Sequence, residues 1–206
     1  MAKGIAAIAM GFSLITLAAA GPTQAASAAV TLSAEAESVR LAQTPIQQAA
    51  LQRQRAALLY NQGNLVAAAA LLEPALAAYL EGNDPNQIQQ TASFLAIIYA
   101  ELGAAAIVDD NLALALDHYQ QQIGTLAVGF NRAAEVEALI NAGQVALGLG
   151  QSALARDYLG TGLVIAQEVG NPVLIQQVQD LLKSLARSYT ESEFHTSVSL
   201  KANRQG

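Results

Sequence analysis

Capping residues followed by proline recur along the chain at regular spacing, and this restricts the possible fold more than any other feature. Thr44-Pro45, Asp84-Pro85 and Asn171-Pro172 each place an N-cap residue before a proline at the first helical position. Asn131 is a fourth N-cap candidate. Helices are therefore predicted to begin at 44, 84, 131 and 171, so the first and last intervals are equal and the middle one is longer. Such spacing indicates a chain built from repeated helical units.

The ends of the predicted helices repeat with the starts. Gly63, Gly103 and Gly150 follow the starts at 44, 84 and 131 at one constant separation. Glycine readily takes the left-handed conformation that ends a helix, so each first helix is predicted to stop at its glycine. The seven extra residues of the middle unit are then predicted around 104–110. The third helical positions of the first two units hold Gln47 and Gln87, which predict capping boxes.

A second helix is predicted to follow each first helix and to complete a hairpin. The second helices are predicted at 65–80 after Asn64, at 112–123 after Asp109, Asp110 or Asn111, and at 152–168 before Gly170. Pro74 lies inside the first of them and predicts a bend near 70–73, because proline removes a hydrogen bond and clashes with the preceding turn. The units are thus 44–83, 84–130 and 131–170, with a capping helix at 171–189 and a flexible tail at 191–206.

Aligned on their starts, the units share columns of small and apolar residues. The columns are Ala56, Ala96 and Gly143; Leu58, Ile98, Val145 and Leu185; Ala68, Ala115 and Ala155; and Leu72, Tyr119 and Leu159. Columns with helical spacing predict one continuous core between stacked hairpins.

The columns resemble those of the tetratricopeptide repeat. The residues that carry the resemblance are Ala56, Leu59, Gly63, Ala68, Leu72, Ala75 and Leu76 in unit one, Leu95, Ala96, Tyr99 and Gly103 in unit two, and Gly150, Ala155, Leu159 and Leu163 in unit three. The interval from 44 to 84 exceeds the usual unit of about 34 residues and is similar to the long repeats of kinesin light chains. The resemblance implies an all-α, right-handed superhelix of about three hairpins plus a capping helix. A helical-hairpin solenoid outside this family is the alternative.

Residues 1–28 are typical of a signal peptide. Lys3 is followed by an uncharged apolar run at 5–20, by Gly21-Pro22, and by the small-residue cleavage pattern Ala26-Ser27-Ala28. We therefore expect an exported protein, periplasmic or secreted, whose mature chain begins at Ala26 or Ala29. Residues 29–43 are predicted to be a linker. An uncleaved membrane anchor is the alternative.

Composition argues against several classes of function. The chain has no Cys, two His and a net charge of −6, so thiol chemistry and multi-histidine metal sites are excluded, and nucleic acid or anionic membrane binding is disfavoured. His118 follows Asp117 directly, and adjacent helical side chains diverge by about 100°, so the two do not form a catalytic dyad. We expect His118 to face solvent. The sequence predicts no cofactor, no metal site and no enzymatic activity.

The tetratricopeptide resemblance implies that the first helices line a concave groove that binds a protein or peptide. Transferred in register, the groove residues are Arg53, Tyr60, Asn61, Gln90, Ser93, Ile97, Glu101, Glu137, Ile140, Gln144 and Arg187. The leading hypothesis is thus a non-enzymatic binding scaffold outside the cytoplasm, with no membrane contact after signal cleavage. The alternative is a self-assembling repeat protein that forms homo-oligomers through its last helix, with Val173, Leu174, Leu181, Leu182 and Leu185 at the contact.

Overall fold

The computed structural model describes the backbone of residues 44–202 and the side chains of residues 44–187. The predicted signal peptide and linker, and residues 203–206, lie outside the described residues. The described part contains seven helices, which are α1 (Pro45–Asn61), α2 (Leu65–Glu81), α3 (Pro85–Val108), α4 (Leu112–Val128), α5 (Arg132–Gly148), α6 (Ser152–Val169) and α7 (Pro172–Ala202).

Each helix packs against the helices before and after it, and α5 also touches α7. The pairs α1–α2, α3–α4 and α5–α6 are three helical hairpins, and α7 packs on the last of them. The described chain is therefore an all-α stack of three helical hairpins with a final helix. The predicted fold class is confirmed.

The four predicted helix starts are confirmed by their caps. Side-chain oxygens of Thr44, Asp84 and Asn131 accept hydrogen bonds from the backbone N–H three residues later, at 3.1–3.4 Å. Asn171 accepts from Val173 N and from Leu174 N. The first capping box is present, with Gln47 reaching back to the Thr44 N–H. At the second, the Gln87 side chain instead accepts from Arg53 on α1.

All six turns between the described helices share one backbone geometry. One residue of each turn has positive φ, and these residues are Gly63, Asn83, Asp110, Phe130, Gly150 and Gly170. The N–H of the next residue then bonds the carbonyl five positions earlier in the chain, at 2.8–3.2 Å. This bond, typical of the Schellman motif, satisfies a carbonyl that the end of the helix leaves unpaired. Because the next residue is also the N-cap of the following helix, only three residues separate consecutive helices in the first five turns and only two in the last.

Gly103 does not end a helix, and this prediction was wrong. α3 continues through Gly103 to Val108, and its C-cap is Asp109. The left-handed residue of this turn is Asp110, with φ of 57°. The seven extra residues of the middle unit therefore lengthen the first helix instead of forming a loop. Gly103 is a packing glycine: a Cβ atom there would lie 3.0 Å from the Tyr119 ring.

The last helix also differs from its prediction. α7 continues to Ala202 instead of ending at 189, so most of the predicted tail is helical. The sequence holds neither Gly nor Pro between 173 and 205, so it lacks the strongest signals for a helix end.

Burial confirms most of the predicted columns. Ala68, Ala115 and Ala155 are fully buried, and Leu72, Tyr119 and Leu159 pack beside them. Leu58 is the exception at 62% exposed, because α1 packs only on later helices within the described residues. α2 passes through Pro74 without interruption.

α3 is long and apolar enough to cross a membrane by length and composition alone. Of its most apolar window, 44% is buried in the protein, and it packs between α2 and α4. Apolar side chains of α3 therefore form part of the core that joins the first two hairpins.

Candidate binding surface

The first helices of the first two hairpins are joined by hydrogen bonds between predicted groove residues. Arg53 on α1 donates through Nη1 to Gln87 Oε1 at 2.5 Å and to Gln90 Oε1 at 3.2 Å on α3. Gln90 was predicted to lie in the groove, and Gln87 was not. These bonds hold the guanidinium between the two helices.

Tyr60 makes a second link between α1 and α3. Its hydroxyl donates to Glu101 Oε1 at 2.5 Å. Its ring meets the ring of Phe94 edge to face, with centroids 5.4 Å apart. The hydrogen bond to Glu101 raises the pKa of Tyr60. Phe94 is a surface residue that sequence reasoning missed, although it follows Gln90 by one helical turn.

A shallow cavity of about 290 Å³ lies between these contacts, lined by Arg53, Gln54, Ala57, Gln90 and Phe94. One turn beyond Phe94, Ile97 is 50% exposed. We call the patch formed by Arg53, Ala57, Tyr60, Gln90, Phe94, Ile97 and Glu101 the α1–α3 surface. It offers amide and guanidinium groups for peptide carbonyls, and aromatic and aliphatic side chains for apolar contact area. Ser93 beside it is half-buried, and Asn61 at the end of α1 is exposed.

The predicted groove residues of α5 do not all reach the surface. Glu137 and Gln144 are exposed, but Ile140 is 3% exposed and belongs to the core between α5, α6 and α7. The outward residues of α5 follow the spacing 137, 141, 144 and 148 instead, so the predicted stripe was out of phase at 140. Gln144 lines a separate cavity of about 180 Å³ with Ile107 and Tyr119.

On α7, Arg187 is exposed as predicted. Nearby, Asp180 accepts hydrogen bonds from Gln176 at 2.9 Å and from Lys183 at 3.2 Å. The bond from Gln176, followed by that from Lys183, lowers the pKa of Asp180. This part of α7 therefore presents a carboxylate that already has partners on its own helix.

A second groove, which sequence reasoning did not predict, lies on the other side of α3. It has a volume of about 340 Å³ and is lined by Glu73, Leu76, Ala77 and Leu80 of α2, Leu95 and Tyr99 of α3, and Gln121, Gly124, Thr125 and Val128 of α4. The Tyr99 hydroxyl donates to Glu73 Oε1 at 2.6 Å. Burial raises the pKa of Tyr99, and the hydrogen bond to Glu73 raises it further. We call this the α2–α4 groove.

His118 is half-buried, so its predicted solvent-facing position was wrong. Its ring stacks on Tyr99 with centroids 6.4 Å apart and an angle of 23° between the planes. Its Nδ1 atom is buried, with no hydrogen-bond partner among the described residues. The contact with Tyr99 places His118 in the packing between α3 and α4.

Among the side chains at 44–187, no group of three or more His, Asp or Glu is placed to hold a metal ion. Polar groups of the α1–α3 surface are bonded across the two helices, Arg53 to Gln90 and Tyr60 to Glu101.

No protein-family model and no curated protein matches this chain. Among solved structures, the fold is similar to the N-terminal domain of stress-induced protein-1 from C. elegans, with 13% sequence identity and a TM-score of 0.41. The match covers 68% of this chain and 98% of that chain.

Proposed function

We propose that the chain is a non-enzymatic scaffold that binds a protein or an extended peptide on its α1–α3 surface. The observation that carries the proposal is the exposed side chain of Ile97 beside Phe94, bordered by Arg53, Gln90 and Glu101. Stacked hairpins present extended surfaces of this kind. Its apolar centre contributes contact area, and its polar margin contributes hydrogen bonds. With a net charge of −6, the chain disfavours nucleic acid and anionic membranes as partners.

We further propose that this scaffold works outside the cytoplasm. The support is the layout of residues 1–28, with one basic residue, an apolar run and a small-residue cleavage pattern. Intact-mass measurement of the protein purified from its native host tests the proposal. A mature chain that begins at Ala26 or Ala29 supports it, and a full-length cytoplasmic species contradicts it.

The proposed binding surface is tested by selecting, from a displayed random library, peptides that bind the protein. Peptides that use the α1–α3 surface should bind the Ile97→Asp variant at least about tenfold more weakly, because the charge disrupts its apolar centre. Val164→Asp is the matched control, since Val164 is similarly exposed at 55% on α6. Equal losses in both variants, or in neither, would reject the α1–α3 surface as the site.

Tyr60→Ala separates a binding role from a packing role within the same surface. Tyr60 contacts Phe94 and Glu101, and tyrosine is among the residues that most often dominate interface energies. We expect a loss of about 1–3 kcal/mol in the affinity of a selected peptide, measured per folded molecule. A lower melting temperature with unchanged affinity would show that Tyr60 only joins α1 to α3.

Self-assembly through the last helix is the second candidate function. Val173 is 71% exposed, and Leu181 and Leu182 are half-buried on a helix that packs on α6 and, slightly, on α5. Leu174 and Leu185 were also expected at this contact, but both are buried in the core formed with α5 and α6, so that part of the expectation was wrong. Sedimentation over a range of concentrations tests it: a dimer that Val173→Asp dissociates would favour assembly over scaffolding. A monomer at all concentrations would reject it.

A further inference from the structure

The α2–α4 groove is an apolar channel between two second helices. Leu76, Ala77 and Leu80 form one wall, Gly124, Thr125 and Val128 form the other, and Leu95 and Tyr99 of α3 form the floor. Ile97 projects from α3 roughly opposite to these floor residues, because positions two apart on a helix point about 200° apart. The groove is therefore separate from the α1–α3 surface, and an occupant of one leaves the other free.

Small residues make the groove wide enough to admit foreign side chains. Ala77 and Gly124 stand on opposite walls. A Cβ atom added to Gly124 would have no heavy atom within 4 Å. Leu80 and Val128, at the far end, are 45% and 37% exposed. An apolar side chain that enters the groove would cover these exposed groups and lose its own contact with water.

The electrostatic surroundings of the groove are acidic. Glu73 lies at one end and accepts the Tyr99 hydrogen bond, and the negative charge of Asp117 also raises the pKa of Tyr99. Between Arg55 and Arg132 the sequence contains seven carboxylates and neither Lys nor Arg. These residues, 56–131, include the whole of α2, α3 and α4. Of these seven carboxylates, Glu73 lines the groove and Asp117 acts on Tyr99 of its floor, whereas Glu101 lies on the α1–α3 surface. The carboxylates nearest the groove attract a cation and repel an anion.

We propose that the α2–α4 groove docks a partner's peptide segment that carries apolar side chains together with Lys or Arg. The apolar walls take the aliphatic side chains, and Glu73 receives the cation at the end of the groove. Charge of this kind sets which partners are accepted and speeds their encounter. The proposal does not depend on the α1–α3 surface, so it stands or falls separately from the proposed function.

A matched pair of glycine variants tests occupancy. Gly124→Leu places a side chain of the protein itself into the groove, where the structure leaves room for it. Gly160→Leu on α6 is the control, because a Cβ atom at Gly160 also has no heavy atom within 4 Å and the position lies outside the groove. Both changes replace a helical glycine with a better helix former, so both variants should remain folded.

The probe is a short, capped synthetic peptide of leucine, alanine and lysine, with its leucines three and four residues apart so that they share one helical face. We expect fluorescence anisotropy to show binding that Gly124→Leu weakens at least about tenfold and Gly160→Leu leaves unchanged. Equal binding to both variants would place the peptide elsewhere on the acidic surface and overturn the proposal. Absence of binding to the unmodified protein would also overturn it.

Two further arms test the charge and the identity of the occupant. A probe with glutamate in place of each lysine should not bind, and Glu73→Gln should weaken the lysine probe several-fold while Glu137→Gln does not. Equal affinity for the two probes would overturn the role of charge. If the unmodified protein self-associates in sedimentation and Gly124→Leu abolishes the association, the occupant is a second copy of the chain and the proposal is wrong.

Discussion

Gly103 on α3 lies against the ring of Tyr119 on α4, so closely that a Cβ atom at Gly103 would stand 3.0 Å from Tyr119 Cε1 and Cζ. Both residues are buried in the middle hairpin. The absence of a side chain at Gly103 thus allows α3 and α4 to approach each other closely.

Gly103→Val should destabilise the fold by about 2 kcal/mol, because the added atoms force the Tyr119 ring out of its place. Urea unfolding measures the change. In a Tyr119→Leu background the cost should fall, since the ring that opposes the new side chain is gone.

Gly124→Ala is the control for helix propensity. This glycine is also helical but exposed, with room for a Cβ atom, so alanine should stabilise by about 1 kcal/mol. A stabilising Gly103→Val would contradict the close approach.

The wrong prediction for Gly103 shows which features of the fold can be predicted from the sequence and which cannot. Helix starts were correct because Thr44, Asp84, Asn131 and Asn171 act locally, each on the first turn that follows it. A glycine has two uses, a left-handed turn or a close approach, and only the partner helix distinguishes them. Asp110 is the residue with positive φ in the turn after α3, and Gly103 instead lies against the Tyr119 ring.

The candidate surfaces were predictable to different degrees. The sequence predicts that Arg53, Tyr60, Gln90 and Glu101 lie together because one helical register places them on neighbouring first helices, and the structure shows these contacts. The prediction that Ile140 lies in the groove was wrong because α4, α6 and α7 cover most of α5. Only a narrow stripe of α5 side chains therefore remains exposed. The α2–α4 groove was missed because it depends on the gap between two second helices, and no spacing within one helix encodes that gap.

Thr91→Val should stabilise the fold by about 1 kcal/mol. Valine keeps nearly the same shape and removes a buried hydroxyl whose desolvation no hydrogen bond offsets. Thr91 is fully buried in α3, and its hydroxyl oxygen has no hydrogen-bond partner among the described residues.

Thr125→Val is the matched control. The Thr125 hydroxyl donates to the Gln121 carbonyl at 2.8 Å, so valine should give no stabilisation there. Thermal unfolding of the two variants checks the contrast, and equal gains at both positions would show that the hydroxyl of Thr91 carries no penalty.

Phe130→Asn should also stabilise the fold, by about 1 kcal/mol. Phe130 has φ of 55° in the turn between α4 and α5 and is 80% exposed. A bulky side chain is strained in this left-handed region, whereas Asn tolerates it, as Asn83 does in the turn before α3.

A substitution in the turn between α1 and α2 should have the opposite effect, because it introduces backbone strain at positive φ instead of relieving it. Gly63 has φ of 76° with open space around it, so Gly63→Ala should lose about 1 kcal/mol from backbone strain alone. Chemical denaturation compares the two turns. A destabilising Phe130→Asn would mean that the exposed ring makes contacts worth more than the strain.

The hydrogen bond from Tyr99 to Glu73 predicts a loss of stability at alkaline pH. Burial and Glu73 raise the pKa of Tyr99 above its ordinary value of 10.0. Above about pH 10 the unfolded chain therefore releases this proton while the folded chain retains it, so the free energy of unfolding falls as pH rises. Below that pH the contribution is fully present.

Tyr99→Phe isolates this effect. The variant should lose about 1 kcal/mol at neutral pH with the hydrogen bond, yet its stability should fall less steeply than that of the unmodified protein above about pH 10. Urea unfolding at a series of pH values measures both quantities. Glu73→Gln should also flatten the alkaline fall, because it keeps an acceptor for the hydroxyl but removes the charge that opposes ionisation. Parallel pH profiles for all three proteins would show that the Tyr99 proton is held no more tightly in the folded state than in the unfolded chain.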